Sequence, residues 1–322
     1  MARELPYIAA IGEAIHQEME RDDSVLYIGQ NIATTDDDPY LKAFGSDRVR
    51  VTPISETAEI GMAIGAAMGG YRPVVELYMA EFMLVAMDQV VNEANRFHYM
   101  TAGQVNVPVV LKAGYGFTAG WAGQHTGTIY GMFMGVPGLK VALPATPADA
   151  KGLMTASIRD DNPVVFFHHY LLTLEHGDVP EGEHVVPLGQ ANVVREGGDV
   201  TIVALGYMLG QALEAAEQLA SEGVQAEVID PRTLAPLDTA TILTSVEKTG
   251  RLVVVDQSTR HGSAAAVIAA EVASEGFSSL KAPVQLVTAL DATIPYSEPM
   301  EQYLLPDAAK IAAAVLESPV PA

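Results

Sequence analysis

The segment ETAEIGMAIGAAMGGYRPVVEL, residues 56–77, contains both kinds of element from which this chain is predicted to be built. Residues 56–70 place small and apolar side chains at helical spacing, and residues 73–77 form a short apolar run that is typical of a buried strand. The helix contains glycines that would weaken it in isolation. We infer that another helix or a ligand approaches its backbone closely, or that it packs internally against a sheet; the pattern favours neither.

The same alternation of helix and strand extends in both directions along the chain. Upstream, a helix is predicted over residues 8–19 and a strand over residues 25–29. Strands that alternate with helices pair in parallel, so residues 1–185 are predicted to form one doubly wound α/β domain. Its remaining predicted elements are helices over 81–99 and 147–160 and strands over 108–112, 139–143 and 163–167.

A second, smaller domain is predicted over residues 186–322. Residues 174–198 are rich in glycine, proline and acidic residues and lack sustained periodicity, which indicates a linker. The alternation then returns, so the second domain is also predicted to be doubly wound α/β. Its predicted elements are strands over 200–205, 226–230 and 252–256 and helices over 209–221, 240–249 and 263–274.

Composition excludes several classes of function. The 322 residues are 49% hydrophobic, which is enough for two sizeable cores. Cysteine is absent, which excludes disulfides, thiolate metal sites and a cysteine nucleophile, and fits a reducing cytoplasm. The net charge of −22 repels phosphate backbones and acidic membranes, so no nucleic-acid partner is expected. Charged residues make up only 18% of the chain, which predicts surface buried against other subunits.

No targeting or membrane segment is predicted. The amino-terminal residues lack the apolar core of a signal peptide. The most apolar region, residues 60–91, is interrupted by charged residues and a proline, so it does not qualify as a bilayer span. We therefore expect a soluble, cytoplasmic protein.

Two residues are candidates for chemistry, and each also has an ordinary structural explanation. Residues 114–119, GYGFTA, formally match a dinucleotide fingerprint, but GWAGQHTG follows where a helix should begin, so we interpret the stretch as a glycine-rich loop. His125 lies in that loop, at the end of the sheet where α/β proteins present ligands, although the residue taken alone is better explained as an ordinary histidine of a surface loop. Glu56 follows TPIS, where a glutamate could simply oppose the helix dipole.

The order of short motifs along the chain resembles one family, the β subunit of the thiamine diphosphate-dependent E1 component of 2-oxo acid dehydrogenase complexes. That group includes pyruvate, branched-chain and acetoin dehydrogenases. The resemblance covers nearly the whole chain and implies a transketolase-like pyrimidine-binding domain followed by a transketolase C-terminal-like domain. The motifs are TPISE (52–56), GAAM (65–68), RPVVE (72–76), DQVVN (88–92), GQH (123–125), VPGLK (136–140), IRDDNP (158–163) and EVIDPRTL (227–234).

The resemblance implies roles for three residues. Glu56 would hydrogen-bond N1′ of the cofactor's aminopyrimidine, and Phe82 would stack on that ring. A carboxyl group at N1′ favours the imino tautomer, whose N4′ removes the C2 proton of the thiazolium. His125 matches a histidine near the substrate, where an imidazole can hydrogen-bond or move protons.

The resemblance also implies partners and ions. In the family, a separate α subunit holds the diphosphate and Mg²⁺, so this chain would supply half of a site in an α2β2 heterotetramer. Its second domain would serve subunit association and docking of a lipoyl-bearing E2 acyltransferase. Several relatives hold potassium through backbone carbonyls, which here match Val109, Ser157, Ile158, Asp160 and Asn162.

The chain departs from the family pattern near the substrate. Gln30 stands where the family has an acid that was assigned to a path between active sites, and an amide cannot ionise. Thr126-Gly127 replaces Ser-Gln, Tyr130 is atypical, and His168-His169 replaces Glu-Pro or Glu-His. These departures predict an altered substrate or acceptor with cofactor binding retained.

Three functions are therefore compatible with the sequence. The first is an E1 β subunit that decarboxylates a 2-oxo acid, or cleaves an acyloin such as acetoin, and passes the acyl group to lipoamide. The second is one chain of a transketolase-like carboligase with an aldehyde acceptor and no lipoyl partner. The third is a non-catalytic assembly subunit, against which the intact Glu56 argues.

Overall fold

The computed structural model describes residues 2–30, 32, 33, 35, 37–117 and 120–318. The described chain divides into two compact units. The first unit contains the residues up to 115 together with 133–188, and the second contains 116–132 together with the residues from 189 onward. The domains predicted as 1–185 and 186–322 place the segment 116–132 in the first domain, whereas in the structure this segment groups with the second unit.

The first unit alternates helices and strands around a parallel sheet. Every residue of its strands at 25–29, 110–115 and 164–169 is buried, as expected for strands covered on both faces. The elements up to residue 188 are β1 (Ala2–Pro6), α1 (Tyr7–Arg21), β2 (Val25–Gly29), α2 (Pro39–Arg48), β3 (Val49–Val51), α3 (Glu56–Met68), β4 (Arg72–Met79), α4 (Phe97–Met100), β5 (Val110–Tyr115), α5 (Tyr130–Met134), β6 (Lys140–Ala142), α6 (Pro147–Arg159), β7 (Val164–His169) and β8 (His176–Pro180).

Six of these strands lie in the order β6-β7-β5-β4-β2-β3, and all the pairs are parallel. β1 pairs separately with β8 in antiparallel orientation. Gly29 of β2 is level with Glu76 of β4, which is level with Lys112 of β5. The parallel sheet predicted for this part of the chain is confirmed.

Local sequence explains the two helices that pack against each other on this unit, α1 and α6. Ile11, Ile15 and Met19 recur at helical spacing on α1 and are all buried. α6 begins with Pro147, and the Thr146 hydroxyl accepts a hydrogen bond from the backbone N–H of Asp149 at 3.1 Å. A proline in the first turn and a threonine cap are strong signals for the start of a helix.

The long helix predicted over 81–99 is wrong. The structure has a 3₁₀ helix at Ala80–Ala86, a π-helical segment at Asp88–Ala94 and the short helix α4. The buried side chains explain the difference: Ala80, Met83 and Ala86 repeat every three residues, and Val90 and Ala94 then repeat every four. A period of three matches a 3₁₀ helix.

The second unit contains a five-stranded sheet in the order β14-β13-β10-β11-β9, in which only the β9 pair is antiparallel. The α/β class predicted for both domains is confirmed. No helix in the described ranges is long and apolar enough to cross a membrane. The elements from residue 189 are β9 (Asn192–Arg195), β10 (Val200–Ala204), α7 (Met208–Ser221), β11 (Ala226–Asp230), β12 (Thr233–Ala235), α8 (Thr239–Thr249), β13 (Leu252–Thr259), α9 (Ala264–Glu275), β14 (Gln285–Ala289), α10 (Glu298–Leu304) and α11 (Ala308–Glu317).

Candidate active site

The order in which the chain adds strands to the sheet of the first unit reverses at β2. This strand has β3 on one side and β4 on the other. In open α/β sheets, ligands bind beyond the carboxyl ends of the strands at such a switch point. Gln30 follows β2, Glu56 follows β3, and Phe82 follows β4. The topology therefore brings the segments that contain two of the predicted site residues to one edge of the sheet. We call Gln30, Glu56, Glu59 and Phe82 the switch-point site.

Two carboxylates of the switch-point site share one donor. Glu56 and Glu59 lie in the first turn of α3 and are 9% and 2% exposed. The side-chain amide of Gln30 donates to Oε1 of Glu56 at 3.3 Å and to Oε2 of Glu59 at 3.4 Å. Oε1 of Glu59 accepts from the Thr52 hydroxyl at 2.7 Å. The positive end of the helix dipole favours negative charge at this position.

Phe82 is partly buried in the 3₁₀ helix that packs against α3. The Thr57 hydroxyl, next to Glu56, donates to the backbone oxygen of Val85 at 3.2 Å and joins the two elements. A carboxylate and an aromatic ring therefore lie on neighbouring elements at the switch point. The carboxylate can hydrogen-bond a ring nitrogen of a ligand, and the ring offers a face for stacking.

A bulge in β4 leads the chain towards Phe82. The register of β4 shifts between Glu76 and Met79, and Tyr78 adopts a φ of 61°, which is unfavourable for a bulky side chain. The Tyr170 hydroxyl donates to the backbone oxygen of Tyr78 at 2.5 Å. This hydrogen bond holds the bulge and thereby the direction in which the chain enters the Phe82 segment.

A cluster of buried polar side chains lies on the strands that lead to the switch-point site. Lys112 forms an ion pair with Glu76, and the Tyr27 hydroxyl donates to Glu76 at 3.2 Å. Burial, together with the Glu76 charge, raises the pKa of Tyr27. Burial and the Lys112 charge hold the pKa of His168 well below its usual value, so its imidazole is neutral at pH 7. These groups keep the carboxyl ends of β2, β4, β5 and β7 in one arrangement.

His125 lies in the second unit, in the segment 116–132, and its side chain is partly buried. Its backbone N–H donates to the oxygen of Ala122 at 3.3 Å in a turn. Gly123 and Gly127, on either side of it, line a cavity of about 150 Å³. The glycine-rich loop predicted here is present, although Thr118 and Ala119 of the GYGFTA stretch lie outside the described residues.

The atypical residues near the expected substrate are buried. Thr126, Tyr130 and His169 are fully buried, and His168 is 5% exposed. The Tyr130 hydroxyl donates to Asp256, and Nδ1 of His169 accepts from the backbone N–H of Leu171. These side chains form internal contacts, so any effect on substrate choice would have to act through packing.

The backbone oxygens expected to hold potassium lie at the end of α6, in the loop that follows it, and just before β5, and four of the five accept hydrogen bonds. Arg72 donates to the backbone oxygens of Ile158 and Asp160 at 3.1 and 3.0 Å. The oxygen of Ser157 accepts from the N–H of Asp160, and that of Val109 accepts from the N–H of Val164. The side chains of Lys140 and Asn162 both bond the Asp160 carboxylate. The Arg72 guanidinium already supplies a positive charge to the oxygens of Ile158 and Asp160.

In the described part of the chain, no group of three or more His, Asp or Glu side chains is arranged to hold a metal ion. Sequence reasoning missed two contributors to the site, the Glu59 carboxylate and the Tyr170 hydroxyl. Glu59 could have been found, because it lies one helical turn after Glu56. No local sequence pattern pointed to Tyr170, because Tyr78, whose backbone oxygen it bonds, is 92 residues away.

Two family models match the chain. The transketolase pyrimidine binding domain matches residues 3–173, and the transketolase C-terminal domain matches residues 189–311. The solved structure of a split gene transketolase, described as an inactive beta4 tetramer, is similar with a TM-score of 0.80. That likeness covers 98% of both chains at 24% identity and therefore concerns the fold alone.

Curated relatives match over nearly their full length. The chain is 46% identical to the acetoin:2,6-dichlorophenolindophenol oxidoreductase subunit beta of Cupriavidus necator, over 98% of this chain and 97% of the relative. It is 41% identical to the pyruvate dehydrogenase E1 component subunit beta of Rickettsia bellii, over 92% and 93%.

Proposed function

Because the chain belongs to the family of E1 β subunits of thiamine diphosphate-dependent 2-oxo acid and acetoin dehydrogenases, we propose that it completes an active site that cleaves an acyloin such as acetoin. The observation that carries this proposal is the buried Glu56 carboxylate at the switch point, in a chain 46% identical to an acetoin oxidoreductase β subunit. Decarboxylation of a 2-oxo acid such as pyruvate is the second candidate, supported by the 41% identity to a pyruvate dehydrogenase subunit. These relatives do not favour a carboligase or a non-catalytic subunit.

The residues of the switch-point site fit the aminopyrimidine of thiamine diphosphate. Gln30 holds Oε1 of Glu56, and no donor among the described residues binds Oε2, which is left to face a ligand nitrogen. Glu56 then holds or moves a proton at N1′, and Phe82 orients the ring by stacking. When bound, thiamine diphosphate supplies a carbon nucleophile that attacks a carbonyl. His125 would hydrogen-bond the substrate oxygen or move its proton.

The proposed assembly is an α2β2 heterotetramer in which the α subunit holds the diphosphate and Mg²⁺. A lipoyl-bearing E2 acyltransferase would accept the acyl group, and the cytoplasm is the expected compartment. Potassium would bind the backbone carbonyls of Val109, Ser157, Ile158, Asp160 and Asn162 and stabilise the segments that contain them.

The test is turnover by this chain co-expressed with its α subunit. With 2,6-dichlorophenolindophenol as the oxidant, acetoin and water would give acetaldehyde and acetate while the dye gains two electrons and two protons. We expect acetoin to support a higher kcat/KM than pyruvate. A pair that binds thiamine diphosphate and Mg²⁺ but oxidises only pyruvate would assign the second candidate. A well-formed pair that binds no cofactor would refute both.

The acyl acceptor is tested with the same preparation. Oxidised lipoamide should be converted to S-acetyldihydrolipoamide, with acetaldehyde released from acetoin. Transfer to an added aldehyde with no reaction of lipoamide would instead assign the carboligase function. Potassium is tested by comparing thermal unfolding in KCl and NaCl at equal ionic strength, where only potassium should raise Tm.

A further inference from the structure

The loop around His125 is held by the carboxyl-terminal part of the chain. We use the name histidine loop for residues 120–130, which belong to the second unit together with residues 189 onward. Glycines at positions 120, 123 and 127 give this loop many accessible conformations. A single conformation therefore depends on contacts made from outside the loop.

One end of the histidine loop is bonded to strand β13. The hydroxyl of Tyr130 donates to Oδ1 of Asp256, and both residues are fully buried. The backbone N–H groups of Ser258 and Ala265 donate to the same carboxylate, at 2.8 and 3.0 Å. Ala265 lies in the first turn of α9, where the helix dipole favours an anion. Burial raises the pKa of Asp256, although these donors oppose the rise.

Further contacts hold the rest of the histidine loop. The Ser258 hydroxyl donates to the backbone oxygen of Thr128 at 3.0 Å. At the other end, the backbone N–H of Gly120 donates to the buried carboxylate of Glu301 at 2.7 Å. A Cβ at Gly123 would lie 2.9 Å from the methyl of Thr293, so the middle of the loop also packs closely against this unit.

We propose that Tyr130 and Asp256 are positioning residues through which the carboxyl-terminal unit sets the conformation of the histidine loop and thereby the position of His125. The proposal rests on the proposed function, in which His125 acts at the substrate. It gives the second unit a part in catalysis besides subunit association. The Tyr130 hydroxyl reaches no substrate in this scheme and acts only through the loop.

The test is Tyr130→Phe in the pair with the α subunit, because this change removes the hydroxyl and keeps the buried ring. Misplacing a catalytic group by about 1 Å can cost about 100-fold in rate, so we expect kcat to fall by about 10- to 100-fold. The Kd of thiamine diphosphate, measured by titration, should stay within about twofold because the switch-point site is untouched. Tyr303→Phe, at a tyrosine that is 70% exposed, is the matched control and should leave kcat unchanged.

A double-mutant comparison separates positioning from general loss of structure. In the His125→Ala background, Tyr130→Phe should lower kcat no further, because the residue on which it acts is gone. Ser258→Ala, which removes the hydrogen bond to the backbone oxygen of Thr128, should act in the same direction. Hydrogen exchange of the peptide that contains residues 120–128 should become faster in Tyr130→Phe.

Three results would overturn the inference. These are an unchanged kcat in Tyr130→Phe, an equal loss of kcat with and without His125, and unchanged exchange of the loop. Absence of turnover by the unmutated pair would refute the proposed function and this inference together, whereas turnover that Tyr130→Phe leaves intact would refute this inference alone.

Discussion

The proposed proton transfer at N1′ of the cofactor depends on one carboxyl group, that of Glu56. Gln30 donates a hydrogen bond to Oε1 of Glu56, so the proposed contact with the ligand falls to Oε2. The proposed role of Glu56 requires that this oxygen exchange a proton with the ligand. An amide in its place could still hydrogen-bond but could not take up or release that proton.

We expect Glu56→Gln to abolish turnover, with kcat lowered by at least about 100-fold. The fold and the association with the α subunit should persist, because the substitution preserves shape. The measurement is steady-state turnover of the purified pair, with thermal unfolding as the check on folding. Glu271→Gln, on the exposed part of α9, serves as the control. Normal turnover in Glu56→Gln would refute the role of Glu56.

His168 gives the first unit a sensitivity to acid. Burial, the Lys112 charge and the neighbouring His169 hold its pKa well below 6.5, and its Nδ1 is buried without a hydrogen-bond partner in the described chain. The unfolded chain takes up a proton at this residue below about pH 6.5, whereas the folded protein does so only at lower pH. Stability should therefore fall as the pH falls below about 6.5.

His168→Gln should reduce this loss of stability below about pH 6.5, because glutamine can replace the hydrogen bond to the Ala113 backbone without titrating. The measurement is the free energy of unfolding in urea at several pH values. His261→Gln, at a histidine whose side chain is 84% exposed, is measured alongside as the comparison at an exposed position. A slope unaffected by His168→Gln would assign the acid sensitivity to other groups.

The ring of Tyr170 packs directly against strand β5 at Gly114, where no side chain is in the way. A Cβ at Gly114 would lie 2.3 Å from the ring of Tyr170. The fingerprint-like GYGFTA stretch therefore begins with a glycine for a packing reason: Tyr170 occupies the space and bonds Tyr78 on the neighbouring strand β4.

We expect Gly114→Ala to destabilise the protein by about 1–3 kcal/mol, as overpacking usually does. Displacement of Tyr170 should also release the β4 bulge and weaken cofactor binding by the pair. Unfolding in urea and titration of thiamine diphosphate measure the two effects. Gly210→Ala, in α7 with no atom within 4 Å of its Cβ, should instead stabilise by about 0.5–1 kcal/mol. Equal effects of the two changes would contradict the packing described for Tyr170.

At the scale of the whole molecule, the first unit exposes large apolar side chains next to the switch-point site. Val85, in the 3₁₀ helix that contains Phe82, is 68% exposed, and Ile54, just before α3, is 78% exposed. With only 18% charged residues in the chain, such exposure predicts a surface covered by another subunit.

Val85→Asp should abolish co-purification with the α subunit, because a carboxylate would be buried without a partner. The stability of the isolated chain should change by no more than about 0.5 kcal/mol, as expected for a surface substitution. Size-exclusion chromatography and urea unfolding measure the two outcomes. Val85→Ala, which shortens the same side chain without introducing a charge, is the control and should still co-purify with the α subunit. An intact complex in Val85→Asp would place the α-subunit interface elsewhere.

Short-range patterns determined the fold class and the edge of the sheet at which the site lies. The strand at 25–29 and the strand at 226–230 match the structure at both ends, because a compact apolar run bounded by polar or turn residues is a local signal. The sequence associated Glu56 with Phe82 only through the family resemblance, and the parallel sheet of the structure is what brings their segments to one edge. The roles of these residues came from the family resemblance, and they remain predictions.

Only the tertiary structure decided which groups hold the site. The predicted helix over 81–99 is divided into three segments because its buried positions must match the packing of α3 and the sheet. Gln30 lies 26 residues from Glu56, and Tyr130 lies 126 residues from Asp256. Hydrogen bonds over such separations depend on how whole elements pack, and no local pattern records them. For the same reason, the grouping of the histidine loop with the carboxyl-terminal unit became visible only in three dimensions.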